Sequence, residues 1–365
     1  MPTEADLLAG IAGLGGTESG NGNGSGNGKG AMPTALVTGG AGFIGSFLCE
    51  RLLEDGRRVI CVDNFSTSQE SNIDHLLKNP NFEFIRHDIA TPFDPATFPE
   101  LARFRVPYDG IQEIYHLACP TSPKKFDQFR MQTLLACGLG TKYALDLALK
   151  YRSKFLLASA SVVYGPRPAD GKPYVEGYLG AVNALSPRAC YDEGKRFAET
   201  ACETYRAVHG LDVKIARIFR TYGPRMPLFD GQMVPDFITD ALDGKDLVIY
   251  GDETFRTSLI YVSDVIDGLV KLMAAPADIG PVNIGSDIDL QLVDVAQRIM
   301  EMTGSASRIR FEPPLLFMTE LGLPDISKAK ERLAWMPLVR LDDGLKRAID
   351  YTIAHKSLLG FGGAR

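Results

Sequence analysis

No stretch of this 365-residue chain approaches the roughly 20 consecutive apolar residues needed to span a bilayer, so no membrane segment is expected. Histidine is scarce, at five residues, and none stands in HExxH or CxxH spacing, so no metal centre is expected. The cysteines, Cys49, Cys61, Cys119, Cys137, Cys190 and Cys202, form no CxxC pair. That favours buried, reduced thiols and a cytoplasmic setting over a disulfide scaffold. The net charge of −6 and the lack of a basic stripe argue against nucleic acid as a partner. No basic flank leads into an apolar segment at the start, so a secretory signal is not expected.

Residues 13–30, GLGGTESGNGNGSGNGKG, carry too little apolar surface to offset the entropy of ordering them. A disordered tail is expected over 1–30, with a short helix at 5–12, and a second tail at 356–365. The rest is different. Hydrophobic residues make up 45% of the chain, enough for a sizeable core.

Short apolar runs alternate with helical patterns through the first two-thirds: ALVTG (35–39), RVICVD (58–63), NFEFIRHD (81–88), IQEIYHLA (111–118), KFLLAS (154–159) and DVKIARIF (212–219). One long helix is expected from Phe126 to Lys150. Strand–helix alternation of this kind predicts an α/β fold, a doubly wound parallel sheet of Rossmann type. After Tyr222 the elements shorten between proline-rich turns, and VNIG (282–285) falls among them. The organisation predicted is a dinucleotide-binding domain over 31–220 and a smaller substrate-binding lobe over 221–355.

TGGAGFIG (38–45) follows a strand and opens a helix. Its glycines let backbone approach a pyrophosphate, and the helix N-terminus offers N–H donors and partial positive charge. Asp63 closes the second strand, where a carboxylate suits the ribose hydroxyls of NAD and repels the extra phosphate of NADP. The candidate cofactor residues are Gly39, Gly42, Phe43, Ile44, Gly45, Asp63, Asn64, Asp88, Ile89, Leu117 and Ala118. Asp88 has two readings, an adenine neighbour or a plain helix cap.

In YDEGK (191–195), Tyr191 and Lys195 share a helix face. A tyrosine near pKa 10 needs roughly 4 kcal/mol of preference for phenolate to act as a base near pH 7. A lysine about 4 Å away in a shielded site, with the positive nicotinamide ring, supplies that order. Such a base takes an alcohol proton while hydride leaves for NAD. Tyr191 and Lys195 are therefore catalytic and cofactor-binding candidates.

These features together resemble the extended short-chain dehydrogenase/reductases, over most of residues 34–355. Within that group the chain is similar to the UDP-glucuronate decarboxylases, or UDP-xylose synthases. The stretches that carry the likeness are VICVDNF (59–65), NPNFEFIRHDI (79–89), IYHLACPTSP (114–123), PRACYDEGKR (187–196) and YVSDVIDGLV (261–270). The resemblance implies oxidation at sugar C4, loss of CO2 from the 4-keto acid, and re-reduction by the same NADH. It also implies a homodimer built on the long helices after strands four and five.

Departures from the family pattern cluster on the substrate side. Where the family has Thr-Ser-Glu-Val-Tyr-Gly, this chain has Ala160-Ser161-Val162-Val163-Tyr164-Gly165. The family's Asn-Val-Val-Gly-Thr is Cys137-Gly138-Leu139-Gly140-Thr141. Its substrate-contacting Asn is Arg220, its next arginine is Thr257 with Arg256 one place earlier, and the basic run before PDISKAK is Leu321-Gly322-Leu323. Ser161 is thus the expected replacement hydroxyl at the catalytic position. Ser159, Val162, Arg220, Arg256 and Tyr250 are the candidate substrate contacts.

Three functions follow as expectations. The first is an NAD-dependent decarboxylase or epimerase of a sugar, a uronic acid above all. The second keeps that chemistry on a nucleoside or glycoside without a diphosphate, with Arg220 on a substrate carboxylate. The third is a non-catalytic NAD-binding protein, which the missing hydroxyl at Ala160 favours and the intact Tyr191 and Lys195 oppose.

Overall fold

In the computed structural model, which describes residues 32–277, 279–314 and 321–355, the apolar runs are strands buried on both sides. The expected tails at 1–30 and 356–365, with the helix at 5–12, lie outside the described residues. Strands β1 (Thr34–Thr38), β2 (Arg58–Asp63), β3 (Phe82–Arg86), β4 (Glu113–His116), β5 (Lys154–Ala160), β6 (Val213–Ile218) and β7 (Pro281–Ile284) form one sheet in the order β7-β6-β5-β4-β1-β2-β3. Every neighbouring pair in it is parallel. Near-continuous burial along β1 and β2 is what a parallel sheet covered by helices on both faces requires. Alternate residues of β1 serve opposite faces: Ala35 and Val37 join one core, Leu36 the other.

The chain runs outward from β1 to β2 and β3, then crosses back to β4 on the other side of β1. That reversal is a topological switch point, and ligands bind beyond the carboxyl ends of the strands flanking it. Helix α1 (Phe43–Glu54) starts there.

The expected single helix over 126–150 is instead α2 (Phe126–Leu135), a π-helical turn at Ala136–Gly140, and α3 (Thr141–Tyr151). The wider turn falls on ACGLG, where two weak helix formers interrupt the propensity that would keep the α pitch. Helix α4 (Ala189–His209) carries YDEGK.

VNIG, placed by its sequence neighbours with the later elements, adds to the main sheet. β7 pairs with β6 from Pro281↔Ile215 to Ile284↔Ile218. It can do so because Val282 and Ile284 are buried and its proline opens an edge strand, where a missing N–H is tolerated. The other late elements are helices α5 (Met233–Leu242), α6 (Val262–Ala274), α7 (Leu292–Thr303), α8 (Ser327–Leu333) and α9 (Leu341–Ala354), with three two-stranded pairings. Among the described residues no helix is long and apolar enough to cross a membrane.

Candidate active site

The glycines of the loop after β1 are fixed by contacts no side chain could share. Gly39 has φ +70°, and a Cβ on it would sit 2.8 Å from Ala118 N. A Cβ on Gly45 would sit 2.1 Å from Gly39 O. Gly39 N donates to Val62 O at 2.8 Å and Gly42 N to Gly39 O at 3.1 Å. The loop therefore folds backbone against backbone and delivers the N-terminus of α1, with no acidic residue in its first turn, to the wall of a cleft of about 440 Å³. This is a cradle for an anion.

All the cofactor residues expected from sequence line that cleft: Gly39, Gly42, Phe43, Ile44, Gly45, Asp63, Asn64, Asp88, Ile89, Leu117 and Ala118. The Asp63 carboxylate is held by Phe65 N (2.9 Å) and Ser68 Oγ (2.7 Å) on Oδ1 and by Ala41 N (3.1 Å) on Oδ2. Oδ2, with one donor, has capacity left for a ribose hydroxyl. Asp88 accepts from Ala90 N at 2.9 Å, closing a turn rather than capping a helix. The donor set fits NAD: a glycine cradle for the pyrophosphate and a carboxylate for the ribose.

The opposite wall carries Ser159, Ala160, Ser161, Val162, Arg188, Tyr191, Lys195 and Arg220. Tyr191 and Lys195 lie one turn apart on α4, with the lysine over the face of the phenol ring. Its Nζ donates to Ala158 O at 2.7 Å and stands 6.0 Å from the Tyr191 ring centroid. The phenol is pushed up from its ordinary pKa, by burial first and by the neighbouring Cys119 and Cys137 thiols next. The expected lowering by Lys195 is therefore absent here, because desolvation of the phenolate outweighs an ammonium already bound to a carbonyl.

Of the two serines in ASAS, Ser159 is committed. Its Oγ donates to Glu199 Oε1 at 2.5 Å, and Glu199 is clamped by Arg217 at 2.7 Å. Ser161 opens the short 3₁₀ turn Ser161–Tyr164 and lines the cleft. It is the hydroxyl of this stretch not bound to Glu199. Ala160 and Val162 make the wall beside it apolar.

Arg220 also lines the cleft, and its Nη1 donates to Thr257 Oγ1 at 2.6 Å. Among the described residues its side chain has no carboxylate partner. Burial, then the nearby Arg188, pushes its pKa down to about 10. Arg188 itself is paired with Asp192 at 3.2 Å. Two candidates from the sequence lie outside the lining. Arg256 is bound to Asp289 at 2.6 Å, with Arg167 on the same carboxylate, and Tyr250 ends a strand paired with Ile309–Glu312. Leu321, from the segment that replaces the basic run, does line the cleft.

Sequence reasoning missed His116. Its Nδ1 meets Thr38 Oγ1 at 2.8 Å and its Nε2 meets Thr141 Oγ1 at 3.3 Å, so it ties β1 to the helix beyond the π turn. Burial, with Lys195 adding to it, pushes the imidazole down to about 3, so it is neutral. The HLA motif marked the place, but nothing in the sequence shows which hydroxyls the ring would meet.

A parallel Rossmann sheet, a glycine cradle closed by an acid on β2, and a Tyr–Lys pair across the cleft define a dinucleotide-dependent enzyme acting on an alcohol. Residues 35–285 match the model of the NAD dependent epimerase/dehydratase family, and the chain belongs to that family. It is 41% identical over 316 residues to UDP-glucuronic acid decarboxylase 1 of Danio rerio, covering 87% of this chain and 72% of that one. Against UDP-glucuronic acid decarboxylase 1 of Arabidopsis thaliana the identity is 40% over 314 residues, covering 86% and 68%. Among solved structures, UDP-glucuronic acid 4-epimerase from Bacillus cereus, in complex with UDP-glucuronic acid and NAD, superposes with a TM-score of 0.77 at 29% identity, covering 88% of this chain and 99% of that one. UDP-glucose 4-epimerase from Thermotoga maritima, with UDP-glucose, gives 0.77 at 27%, covering 88% and 99%. The cofactor is NAD.

Proposed function

We propose that the enzyme oxidises the C4 hydroxyl of a nucleotide-linked uronic acid, lets the 4-keto acid lose CO2, and reduces the ketone again. The observation that carries the uronic acid is Arg220, a cleft-lining guanidinium held by a neutral threonine. A buried cation without a carboxylate of its own is stabilised by an anionic ligand, and a guanidinium matches a carboxylate in two bonds.

The cradle of Gly39, Gly42 and Gly45 and the Asp63 carboxylate hold NAD, which supplies a hydride acceptor and afterwards the donor. With the positive nicotinamide ring of bound NAD beside it, the Tyr191 phenol would be lowered from the raised value of the empty cleft, and its phenolate form takes the C4–OH proton and later returns it. Ser161 relays that proton from the neighbouring wall. Lys195 holds positive charge at the foot of the same helix face, anchored by Ala158 O. Arg220 holds the carboxylate, which sits β to the new ketone and so leaves readily as CO2.

One observation favours a second outcome. Val162 and Ala160 present no acid or base where CO2 would leave, so the ketone can survive long enough to be reduced on its other face, giving the C4 epimer. The similarity to a UDP-glucuronic acid 4-epimerase supports that reading. Incubation with NAD and UDP-glucuronate labelled with ¹³C at C6 separates them. Labelled CO2 and a UDP-pentose mean decarboxylation, an isomer of equal mass means epimerisation, and an unchanged substrate with folded, NAD-binding protein overturns the uronic acid assignment.

A homodimer is part of the proposal. Met131, Leu134, Leu135 and Leu139 stand exposed along α2 and the π turn, with Phe197 exposed on α4, and apolar side chains grouped this way suit an interface. Sedimentation of the purified protein at twice the chain mass supports it. We assign residues 31–220 to NAD and the catalytic wall, and 221–355, apart from the strand at 281–284, to the rest of the substrate site, in a cytoplasmic enzyme.

A further inference from the structure

Two thiols meet beside the cleft, one lining it and one buried behind. Cys119, three residues beyond β4, lines it. Cys137 lies in the π turn, and its Sγ is 3.5 Å from that of Cys119. Cys137 also packs on the catalytic helix, since a Cβ on Gly194 would sit 2.9 Å from Cys137 Cβ. Gly194 lies between Tyr191 and Lys195, so the pair borders both. The two sulfurs share a proton unequally. The bond to Cys137 raises the Cys119 thiol, while the same bond, and then Lys195, lower Cys137 to about 7 against the opposing effect of burial. A pair of this kind holds a thiolate near neutral pH, and the thiolate is the reactive form.

We propose that Cys119 and Cys137 form an oxidation site, at which hydrogen peroxide entering the cleft converts the dithiol to a disulfide and disables NAD binding. The thiolate attacks the O–O bond of the peroxide and becomes a sulfenic acid, while hydroxide leaves and is protonated to water. The partner sulfur then attacks the sulfenic sulfur, its proton leaves with the oxygen as a second water, and the S–S bond closes. One peroxide is reduced to two waters and two thiols are oxidised to one disulfide.

The disulfide draws the sulfurs from 3.5 Å to about 2.0 Å. Cys119 is joined directly to Ala118, whose backbone stands against Gly39 closely enough to exclude a Cβ. Movement of Cys119 toward the π turn is therefore passed to the phosphate cradle. The contrast within the chain is Cys49 and Cys61, which also lie together but neither of which lines the cleft, whereas the buried Cys137 lies against the cleft-lining Cys119.

The test uses the full chain. Protein is treated with hydrogen peroxide, denatured, alkylated and mapped by peptide mass spectrometry, with NAD affinity measured in parallel. The expected result is a cross-link between the Cys119 and Cys137 peptides, about 2 Da lighter than the reduced pair, with Cys49 and Cys61 still alkylated. NAD affinity falls with the cross-link and returns with dithiothreitol. Cys137→Ala and Cys119→Ser each abolish the cross-link and keep NAD binding under peroxide. No cross-link between these two, a disulfide through Cys190 instead, or a cross-linked protein that binds NAD unchanged overturns the proposal. The mapping needs no sugar, so its failure leaves the uronic acid reading untouched.

Discussion

Arg220 Nη1 and Thr257 Oγ1 are hydrogen-bonded at 2.6 Å, which joins the end of β6 to the short strand at Arg256–Thr257. The two positions are those where the family resemblance has Asn and Arg. A guanidinium lost from 257 is present at 220, bonded to the residue that replaced it. Arg220→Gln should therefore weaken UDP-glucuronate binding by about 10- to 100-fold, the value of a charged hydrogen bond of roughly 1.5–3 kcal/mol. Calorimetry with UDP-glucose as the neutral control should show little change, and an equal loss for both sugars would contradict a carboxylate contact.

Tyr191→Phe removes the phenol of the reacting wall while preserving its packing. Turnover should fall by about 100- to 10,000-fold with NAD affinity retained. Ser161→Ala should cost on the order of 100-fold in turnover. A near-normal Ser161→Ala enzyme would mean that water carries the proton, since Ser159 is bound to Glu199.

Gly45→Ala would place a methyl 2.1 Å from Gly39 O. Backbone cannot yield as a flexible side chain can, so the loop opens or α1 shifts, at a cost of about 1–3 kcal/mol. Thermal melts should show a lower Tm and no further rise on adding NAD. An NAD-dependent rise equal to that of the wild type would show that the cradle survives.

His116 predicts a pH dependence. Its folded pKa, about 3, lies below the unfolded value of about 6.5, so between those values the unfolded chain binds more protons. Stability from this group is whole above pH 6.5 and falls as the pH drops, by up to about 1.4 kcal/mol per unit. Urea midpoints compared at pH 7 and pH 5 should fall further in the wild type than in His116→Asn, whose amide stands near the Nδ1 position facing Thr38 and does not titrate.

The sheet and the cofactor wall were legible because they are local. β-branched runs, a glycine loop between strand and helix, and an acid at a strand end each specify their structure within a few residues. The substrate wall was less so. Ser159 and Ser161 read alike in ASAS, and only Glu199, brought over by α4, distinguishes them. Arg256 and Arg220 were both plausible anion contacts until Asp289 was found on the first. Tyr250 fell on a strand whose partner at 309–312 had no sequence signal. The π turn was hidden because one helical periodicity runs into the next across it. In each case the deciding group is distant in the chain.

β7 has a consequence for synthesis of the protein. Until the ribosome has passed Ile284, β6 has no neighbour on its outer side, and its unpaired N–H and C=O groups form an open template for other nascent chains. Asn283, which accepts from the Tyr164 hydroxyl at 2.6 Å, arrives with that strand, so the turn following ASAS gains that bond only then. A nascent chain interrupted before residue 281 would therefore have most of the cofactor wall but lack both the seventh strand and the Asn283 bond to the catalytic turn, which makes it a client for chaperones rather than a partly active enzyme.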